Sequence, residues 1–149
     1  INNQLFIAIG DNTKRKKVYE KLIMNKTYLD TSIIHSSSII SSSALINNQN
    51  FISAGVIINP KVVINIGCII NTGAIIEHEC NIGCFSHVCP GAVLAGNVSV
   101  GESCLIGANS VIKQGIQIWN NVTIGAGAVI VKDVPNNSTI FGNPGRIIR

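Results

Sequence analysis

The residue best suited to acid–base chemistry in this sequence is a histidine between two carboxylates. The segment Ile76-Glu77-His78-Glu79-Cys80 places His78 between Glu77 and Glu79. A neighbouring carboxylate raises the basicity of an imidazole and orients its ring, so His78 is a candidate general base with Glu79 as its partner. The alternative interpretation of the same segment is an exposed histidine between two solubilising acids.

The elements that must position this histidine follow a strict six-residue period. From Ile34 to Ile130 every sixth residue is a branched aliphatic, a period that neither a helix nor an alternating strand produces. The period is the signature of a parallel β-helix. Each six-residue unit forms one strand on one side of a prism, three units form a coil, and coils stack at about 4.8 Å. The residue four positions after each aliphatic also points inward.

The 18-residue coil of the prism predicts which residues lie near His78. Gly96 lies 18 residues after His78, at the same corner one coil further on. A glycine there leaves a notch beside the imidazole and exposes a backbone N–H, as a developing oxyanion requires. His87 lies nine residues after His78, half a coil away. We therefore expect His78 and His87 to meet only between two subunits.

Glycine marks one corner of the prism on the same 18-residue spacing. Tight corners require positive φ, which glycine and asparagine tolerate. The corner residues predicted to adopt it are Gly55, Gly73, Gly91, Asn109 and Gly127.

The outward residues, one before each inward aliphatic, divide into three faces. Ile39, Val93 and their equivalents form one apolar face, and Ile33, Phe51 and their equivalents form a second that contains His87. The third turns polar from Asn81 onward. A single prism would expose two apolar sides to water, whereas three prisms about a threefold axis would bury them. The pattern predicts a homotrimer.

The first residues follow a different pattern. Residues 5–9 predict a buried strand, and Gly10 predicts a turn. Asp11 or Asn12 then caps a helix from about residue 13 to residue 24. The apolar residues of that helix are Val18, Tyr19, Leu22 and Ile23.

Strand, glycine and capped helix are the beginning of a βαβ unit, but one strand and one helix cannot complete an α/β domain. We interpret residues 1–29 as the remnant of a truncated N-terminal α/β domain. Residues 30–149 form the β-helix and its C-terminal tail. The alternative is that residues 1–29 are a native cap of the prism.

Composition and charge narrow the classes of function. The chain has 149 residues, a net charge of +4 and 5% aromatic residues. Its basic residues cluster at 14–17 and near the C-terminus, which suits a small polyanion such as a nucleotide or coenzyme phosphate better than nucleic acid. No apolar run reaches the roughly 20 residues of a membrane helix.

The cysteines favour reduced thiols over a metal site. Cys68, Cys80 and Cys104 fall at inward positions of the prism, and no C-x-x-C is present. We expect no metal ligands and a cytoplasmic protein.

Three longer segments resemble a known family. They are Ile76-Glu77-His78-Glu79-Cys80 with Ile82-Gly83, Phe85-Ser86-His87-Val88, and Gly91-Ala92 with Ala95-Gly96-Asn97-Val98. They resemble the bacterial hexapeptide acyltransferases that acetylate nucleotide-linked amino sugars and sialic acid. The opening residues 6–12 and the ending at residues 142–146 are similar to theirs. The family's opening glycine-rich loop, which holds much of the uridine nucleotide, is absent.

The resemblance implies a left-handed β-helix, a trimer and acetyl-CoA as the donor. His78 would be the base and Glu79 its tuner, with the Gly96 N–H and His87 near the thioester. Three further residues are expected to bind the coenzyme: Ala108, Ala126 and Arg146. Four residues are expected to bind the nucleotide sugar: Gly10, Thr13, Asn71 and Glu77.

The expected reaction is acetylation of the 4-amine of a UDP-linked amino-dideoxy sugar, without an acyl-enzyme. Three rivals remain at this point. One is O-acetylation of sialic acid or a related sugar, and another is a zinc carbonic anhydrase, which needs three metal-competent histidines at an interface. The third is a non-enzymatic structural or ice-binding module, which predicts a flat, regular Ser or Thr face.

Overall fold

The computed structural model describes residues 5–27 and 29–148. These residues form one helix, α1 (Asn12–Met24), followed by nineteen short strands, β1 to β19 in chain order. The strands belong to three sheets, one on each side of a prism, which we call faces A, B and C.

Face A is an eight-stranded sheet. In spatial order its strands are β1 (Ile33–Ile34), β4 (Phe51–Ile52), β7 (Ile69–Ile70), β10 (His87–Val88), β13 (Leu105–Ile106), β16 (Thr123–Ile124), β18 (Thr139–Phe141) and β19 (Arg146–Ile147).

Faces B and C contain the remaining strands. Face B consists of β2 (Ile39–Ile40), β5 (Ile57–Ile58), β8 (Ile75–Ile76), β11 (Val93–Leu94), β14 (Val111–Ile112) and β17 (Val129–Ile130). Face C consists of β3 (Leu45–Ile46), β6 (Val63–Ile64), β9 (Asn81–Ile82), β12 (Ser99–Val100) and β15 (Gln117–Ile118).

Strand pairing confirms the 18-residue coil. Parallel strands align His87 with Ile69 on one side and with Leu105 on the other. On face B, Val93 aligns with Ile75 in the same way. The three predicted faces are therefore the three sheets, and the fold is the predicted parallel β-helix.

The core is the predicted column of aliphatics. From Ile52 to Ile130 every residue at the six-residue period is at most 2% exposed. The polar residues that point inward satisfy backbone groups of the next coil. Asn50 accepts a hydrogen bond from the Cys68 N–H at 2.6 Å, and Ser86 accepts one from the Cys104 N–H at 2.9 Å. The buried polar side chains of the described residues are thus paired.

The prism's corners repeat a left-handed residue. All five residues predicted at one corner have positive φ, from 54° at Asn109 to 67° at Gly55 and Gly91. The other two corners use the same conformation mostly with residues other than glycine, as at Glu79 (φ 62°) and Phe85 (φ 57°). The stacked corners therefore fix where each side chain beside them points.

The N-terminal segment differs from the prediction. Helix α1 is present and Asp11 caps it, accepting from the Lys14 N–H at 2.8 Å. Residues 5–9, however, form no strand. A strand needs a backbone partner, and here the Gln49 side chain takes that place: its Oε1 accepts from the Ile7 N–H at 3.0 Å, and its Nε2 donates to the Leu5 carbonyl at 2.7 Å.

The predicted apolar side of α1 is also partly wrong. Ile23 is 46% exposed, whereas the most buried residue of the helix is Arg15, at 2%. The helix lies beside the corner between faces C and A. Tyr19 contacts Phe85 there, with ring centroids 5.3 Å apart.

The last coil is shorter than the others. Ile118 pairs with Val134 and Thr123 with Thr139, each 16 residues apart, so two residues are missing relative to the regular coil. The tail then forms a short antiparallel hairpin from β18 and β19. Ile140 of this hairpin and Val134 before it are buried, so both extend the core at its C-terminal end.

Candidate active site

His78 directly follows Glu77 at the corner between faces B and C. Its Nδ1 lies 3.2 Å from Glu79 Oε2. The left-handed backbone at Glu79 aims that carboxylate back at the ring, and Lys61 lies 3.4 Å from Glu79 Oε1. Hydrogen bonds from His78 and Lys61 lower the pKa of the Glu79 carboxyl, so it is ionised at neutral pH.

The partner of Nδ1 determines which nitrogen of His78 is free. A carboxylate can only accept, so His78 Nδ1 carries the hydrogen and donates it. In the neutral ring, Nε2 then has a lone pair and no hydrogen. His78 is half exposed, so this lone pair is accessible from outside the prism.

Gly96 lies against the His78 ring, as the 18-residue spacing predicts. A methyl group on Gly96 would fall 2.5 Å from both Cε1 and Nε2 of His78, closer than any real contact. The Asn97 N–H donates to the His78 carbonyl at 2.8 Å and holds the two coils together. Within the described residues, no acceptor takes a hydrogen bond from the Gly96 N–H.

His87 lies elsewhere, on face A, in the column between Ile69 and Leu105. It is half buried, and its Nε2 is 3.2 Å from Asn71 Nδ2. Burial, with a smaller effect from the positive charge of Arg15, lowers the pKa of His87 to about 4. The ring is therefore neutral at physiological pH. Asn71, predicted to bind sugar, is at hydrogen-bond distance from His87.

The predicted coenzyme residues occupy two places. Ala108 and Ala126 stack at the corner between faces A and B, where the Gly127 N–H donates to the Ala108 carbonyl at 2.8 Å. This corner follows the strand of His87. Arg146 is exposed in the terminal hairpin, where it pairs with Phe141.

The predicted sugar residues are divided in the same way. Glu77 is beside His78, and its N–H donates to the Leu94 carbonyl at 2.9 Å. Gly10 and Thr13 are exposed at the start of α1, near the corner between faces C and A. One chain therefore separates the residues around His78 from those around His87 and α1.

Arg15 is a residue that sequence reasoning missed. Its guanidinium donates to the carbonyls of Gly67 (2.7 Å), Phe85 (2.9 Å), Ile9 (2.9 Å) and Gly10 (2.9 Å). The same group bonds Asn12 Oδ1 at 2.8 Å. Arg15 thus ties the loop before α1 to the coils that carry His87. In the sequence it is one of four consecutive basic residues, and nothing distinguishes it from its exposed neighbours.

An apolar cleft lies beside this loop. Its volume is about 240 Å³, and it is lined by residues 6–10 together with Ile33, Phe51 and Ile69 of face A. Ile69 is the residue paired with His87, so the cleft opens onto the same face as that histidine.

The three buried cysteines, Cys68, Cys80 and Cys104, lack the properties of a nucleophile, because burial raises the pKa of each thiol. Cys80, the cysteine nearest His78 in sequence, is 1% exposed and points into the core. Burial raises its pKa to about 11. Among residues 5–27 and 29–148, no three His, Cys, Asp or Glu side chains are grouped to hold a metal ion. Helix α1, at 13 residues, is too short and too polar to cross a membrane.

Comparisons with known proteins agree with this architecture. Residues 79–114 match the family model of the bacterial transferase hexapeptide, and residues 97–132 match that of the hexapeptide repeat of succinyl-transferase. The acetyltransferase domain of PglB from Neisseria gonorrhoeae is 33% identical with a TM-score of 0.93. The match covers 97% of this chain and 70% of that one.

Two further solved structures are similar. PerB from Caulobacter crescentus, a perosamine N-acetyltransferase solved with CoA and GDP-perosamine, is 36% identical with a TM-score of 0.94. That match covers 97% of this chain and 70% of PerB. WeeI from Acinetobacter baumannii is 26% identical with a TM-score of 0.85, over 96% of this chain and 69% of WeeI. The chain belongs to the hexapeptide-repeat, left-handed β-helix family of sugar N-acetyltransferases.

Proposed function

We propose that the protein transfers the acetyl group of acetyl-CoA to the 4-amine of a nucleotide-linked amino-dideoxy sugar, with His78 as general base. The observation that carries this proposal is the stack of His78 on Gly96, with Glu79 bonded to Nδ1. It provides an oriented base and an unpaired backbone donor on one wall. A sugar N-acetyltransferase needs both groups at one place.

The proposed step uses the free Nε2 of His78. The amine nitrogen bonds to the thioester carbonyl carbon while Nε2 takes one proton from that nitrogen. The carbon–sulfur bond then breaks, and the proton passes to the departing sulfur of CoA. Ionised Glu79 stabilises the imidazolium that forms in between. No enzyme nucleophile is needed, which agrees with the buried, protonated thiol of Cys80.

The Gly96 N–H is the proposed oxyanion donor. The carbonyl oxygen becomes negative as the amine attacks, and a fixed N–H beside the base would stabilise it. Removing one such donor typically costs about 10²–10³ in kcat. Because the donor belongs to the backbone, most side-chain substitutions leave it in place, and a substitution at Gly96 acts mainly by changing the shape of the corner.

We infer that the complete site forms between two chains of a trimer. In one prism, His78 and Gly96 lie at the corner of faces B and C. His87, Ala108 and Ala126 lie on face A and the corner after it. Two adjacent prisms could bring these groups together, with Ala108 and Ala126 lining the coenzyme groove and Arg146 near a coenzyme phosphate. Exposed apolar side chains support such contacts, as at Ile39 (65%) and Val111 (40%).

Relatives support the choice of substrates. A PglB acetyltransferase domain was solved with acetyl coenzyme A, and PerB with CoA and GDP-perosamine. We propose acetyl-CoA as the co-substrate here. Gly10, Thr13, Asn71 and Glu77 are the proposed contacts on the sugar side. Sequence resemblance favours UDP as the nucleotide, whereas the PerB complex contains a GDP sugar, so the two nucleotides must be compared directly.

The deciding experiment is a steady-state assay of CoA thiol release. Acetyl-CoA would be paired with a UDP-linked 4-amino sugar, its GDP counterpart, the matching 4-hydroxy sugars and sialic acid. We expect turnover with an amino sugar and little with any hydroxyl acceptor. Turnover confined to sialic acid would instead support O-acetylation, and no turnover with any acceptor would overturn the proposal.

A separate experiment tests the trimer. Light scattering at micromolar concentration should give three times the chain mass. Val93→Asp places a charge in the middle of apolar face B, where a subunit contact would leave it buried and unpaired. We expect this variant to be monomeric and folded by circular dichroism. A monomeric wild-type chain would contradict the shared site.

A further inference from the structure

The net charge of the chain is concentrated in helix α1. Of the chain's 11 Lys and Arg residues, five lie in α1, and of its 7 Asp and Glu residues, one does. The helix therefore carries a charge of +4, equal to the net charge of the whole chain. The remaining residues contain six of each kind and have no net charge. A charge distributed this unevenly indicates a negatively charged partner for α1.

Two of the five basic residues are used inside the fold. Arg15 is buried and bonds backbone carbonyls, and Lys16 bonds a carboxylate of the prism. The other three, Lys14, Lys17 and Lys21, are exposed and form no ion pair with any residue that the structure describes. Packing of the helix on the prism therefore does not require these three lysines.

The three lysines lie on one side of the helix. Their spacings of three and four residues place them within about 60° of each other around the helix axis. Met24 follows Lys21 by three residues and continues the same line. It is 76% exposed, more than any other large hydrophobic residue among those described. We call Lys14, Lys17, Lys21 and Met24 the helix stripe, which is about 15 Å long at 1.5 Å per residue.

The stability of the helix opposes this arrangement. Lys14 lies in the first turn, where the helix macrodipole is positive, and that turn contains no acidic residue. Lys17 and Lys21 are four residues apart, so their like charges repel along the helix. Glutamine would form the helix equally well without either cost. Residues that weaken their own element and add no packing are typical of a functional surface.

The shape and composition of the helix stripe suit a bilayer. The exposed side of a helix is convex, so it does not enclose a small anion as a pocket would. A bilayer containing anionic lipids offers headgroup charges to the lysines and an apolar boundary to Met24, whereas a nucleotide or an acidic polypeptide offers mainly charge. Helix α1 also lies at an edge of the polar face C, the face that the proposed trimer leaves in water.

We propose that the helix stripe binds the surface of a bilayer containing anionic lipids, with its lysines at the headgroups and Met24 at the acyl boundary. The contact is peripheral, since the helix lies on the surface and does not cross the bilayer. The inference goes beyond the proposed acetyl transfer and does not depend on it. His78 is separated from α1 by face C, so its corner remains open to substrates while the helix contacts lipid.

The test is flotation of the whole chain with lipid vesicles. Vesicles of phosphatidylcholine with about 30% phosphatidylglycerol supply the anionic surface, and vesicles of phosphatidylcholine alone lack it. We expect binding to the anionic vesicles only, in about 0.1 M salt. Binding should be lost in about 1 M salt, because the Debye length falls from about 10 Å to about 3 Å. Equal binding to both kinds of vesicle, or none to the anionic ones, would overturn the proposal.

The double variant Lys17→Gln, Lys21→Gln tests the charges. Each lysine near an anionic membrane surface contributes about fivefold to partitioning, so this variant should bind about 25-fold more weakly. The matched control is Lys113→Gln with Lys132→Gln, which removes the same charge from the prism and should bind as the wild-type chain does. Equal losses in the two double variants would contradict a role specific to the helix stripe.

Met24→Gln tests the apolar end of the stripe with little change in side-chain volume. Removing an apolar side chain from the acyl boundary should weaken binding to the anionic vesicles by up to about tenfold. The charges are unchanged, so the salt dependence should stay as in the wild-type chain. Unchanged partitioning would exclude contact of Met24 with lipid and overturn the assignment of the stripe to a bilayer.

Soluble polyanions separate the bilayer from other partners. Polyglutamate or CoA, added at the same charge concentration as the anionic lipid, should not release the chain from the vesicles. Release by polyglutamate would assign the stripe to an acidic protein, and release by CoA would assign it to a nucleotide or coenzyme phosphate; either result would overturn the proposal. Flotation requires no turnover, so its outcome is independent of the acceptor that the enzyme uses.

Discussion

The two histidines of this chain occupy opposite environments. His78 is half exposed at a corner and bonded to an ionised carboxylate, which leaves its Nε2 lone pair free. His87 is half buried on a flat apolar face and bonded to an amide, which leaves its Nδ1–H free. A corner lets a side chain meet charged neighbours and water, whereas a sheet face surrounds it with Ile69 and Leu105. The same residue type therefore has a bonded Nδ1 in one place and a bonded Nε2 in the other.

The largest expected effect comes from removing the base. His78→Ala should lower kcat by about 10²–10⁴, the usual contribution of general-base catalysis. The KM for acetyl-CoA should change little, because His87 and the alanine corner remain. Steady-state kinetics measure both values, with His35→Ala as the control at an exposed histidine of the first coil. A fall of less than threefold in kcat would show that His78 is not the base.

Mixed trimers test whether the two histidines act in one site from two chains. His78→Ala removes the base, and His87→Trp should block the acetyl end of the groove. In an equal mixture, about one quarter of the interfaces combine an intact His78 with an intact His87 from the next chain, by the symmetry of a threefold ring. Co-expression should restore about that share of wild-type activity. Verified mixed trimers that stay inactive would place both histidines in one chain's site.

Gly96→Ala changes only the shape of the corner beside His78. The added methyl group would lie 2.5 Å from Cε1 and Nε2 of His78, so the ring must move. A displacement of about 1 Å at a catalytic group can cost about 10²-fold, and we expect a loss of that order in kcat. Gly73→Ala adds a methyl group that contacts nothing, so it controls for the glycine change, although its own positive φ makes it mildly destabilising. Wild-type kcat in Gly96→Ala would show that the notch is not required.

Arg15→Met tests what holds α1 and its loop beside His87. The variant leaves buried carbonyl oxygens without hydrogen-bond donors. Each such unpaired group costs about 1–3 kcal/mol of stability, so the free energy of unfolding should fall by at least that amount. If the loop loses about 1.4 kcal/mol of docking, the KM for the nucleotide sugar rises about tenfold. The KM for acetyl-CoA should not change. Lys17→Met, at an exposed position of the same helix, is the control, and equal rises in both KM values would contradict a role specific to the sugar side.

The smallest effect concerns pH. The pKa of His87 is about 4 in the folded chain, and a free histidine has a pKa of about 6.5. The unfolded state therefore binds the proton first as the pH falls. The contribution of His87 to stability is complete above pH 6.5 and is lost between there and pH 4. Denaturant titrations at pH 7 and pH 4.5 should show a smaller loss of stability in His87→Gln than in the wild-type chain. Equal losses would indicate an ordinary pKa for His87.

Much of the site could be predicted because the fold is periodic. Once the inward aliphatics set an 18-residue coil, the position of every outward residue follows by counting. Gly96 falls beside His78 for that reason, and His87 falls on another face. The corners that take positive φ were predictable for the same reason, since each is stacked on an equivalent corner. The functional roles of these residues remain proposals.

The segments outside the period were predicted least well. Residues 5–9 have a strand-like composition, but their hydrogen-bond partner is the Gln49 side chain, and no local pattern identifies it. The last coil has two residues fewer than the regular coils. It still pairs with the coil before it, because its turn is shorter and Val134 keeps the inward position.

The sequence by itself determined the solenoid, its three faces and the stacking of His78 on Gly96, because a six-residue period leaves one way to bury its aliphatics. Only the tertiary structure decided what each polar side chain bonds. In the sequence Arg15 is one of four adjacent basic residues, whereas in the fold it bonds two distant carbonyls, those of Gly67 and Phe85, together with three acceptors of the loop before it and of α1. Which ring nitrogen of His87 carries the hydrogen likewise depends on the orientation of the Asn71 amide, one coil away. The direction of a hydrogen bond depends on which atoms lie close together in the folded chain. The sequence gives the residue types but not which of their atoms are neighbours.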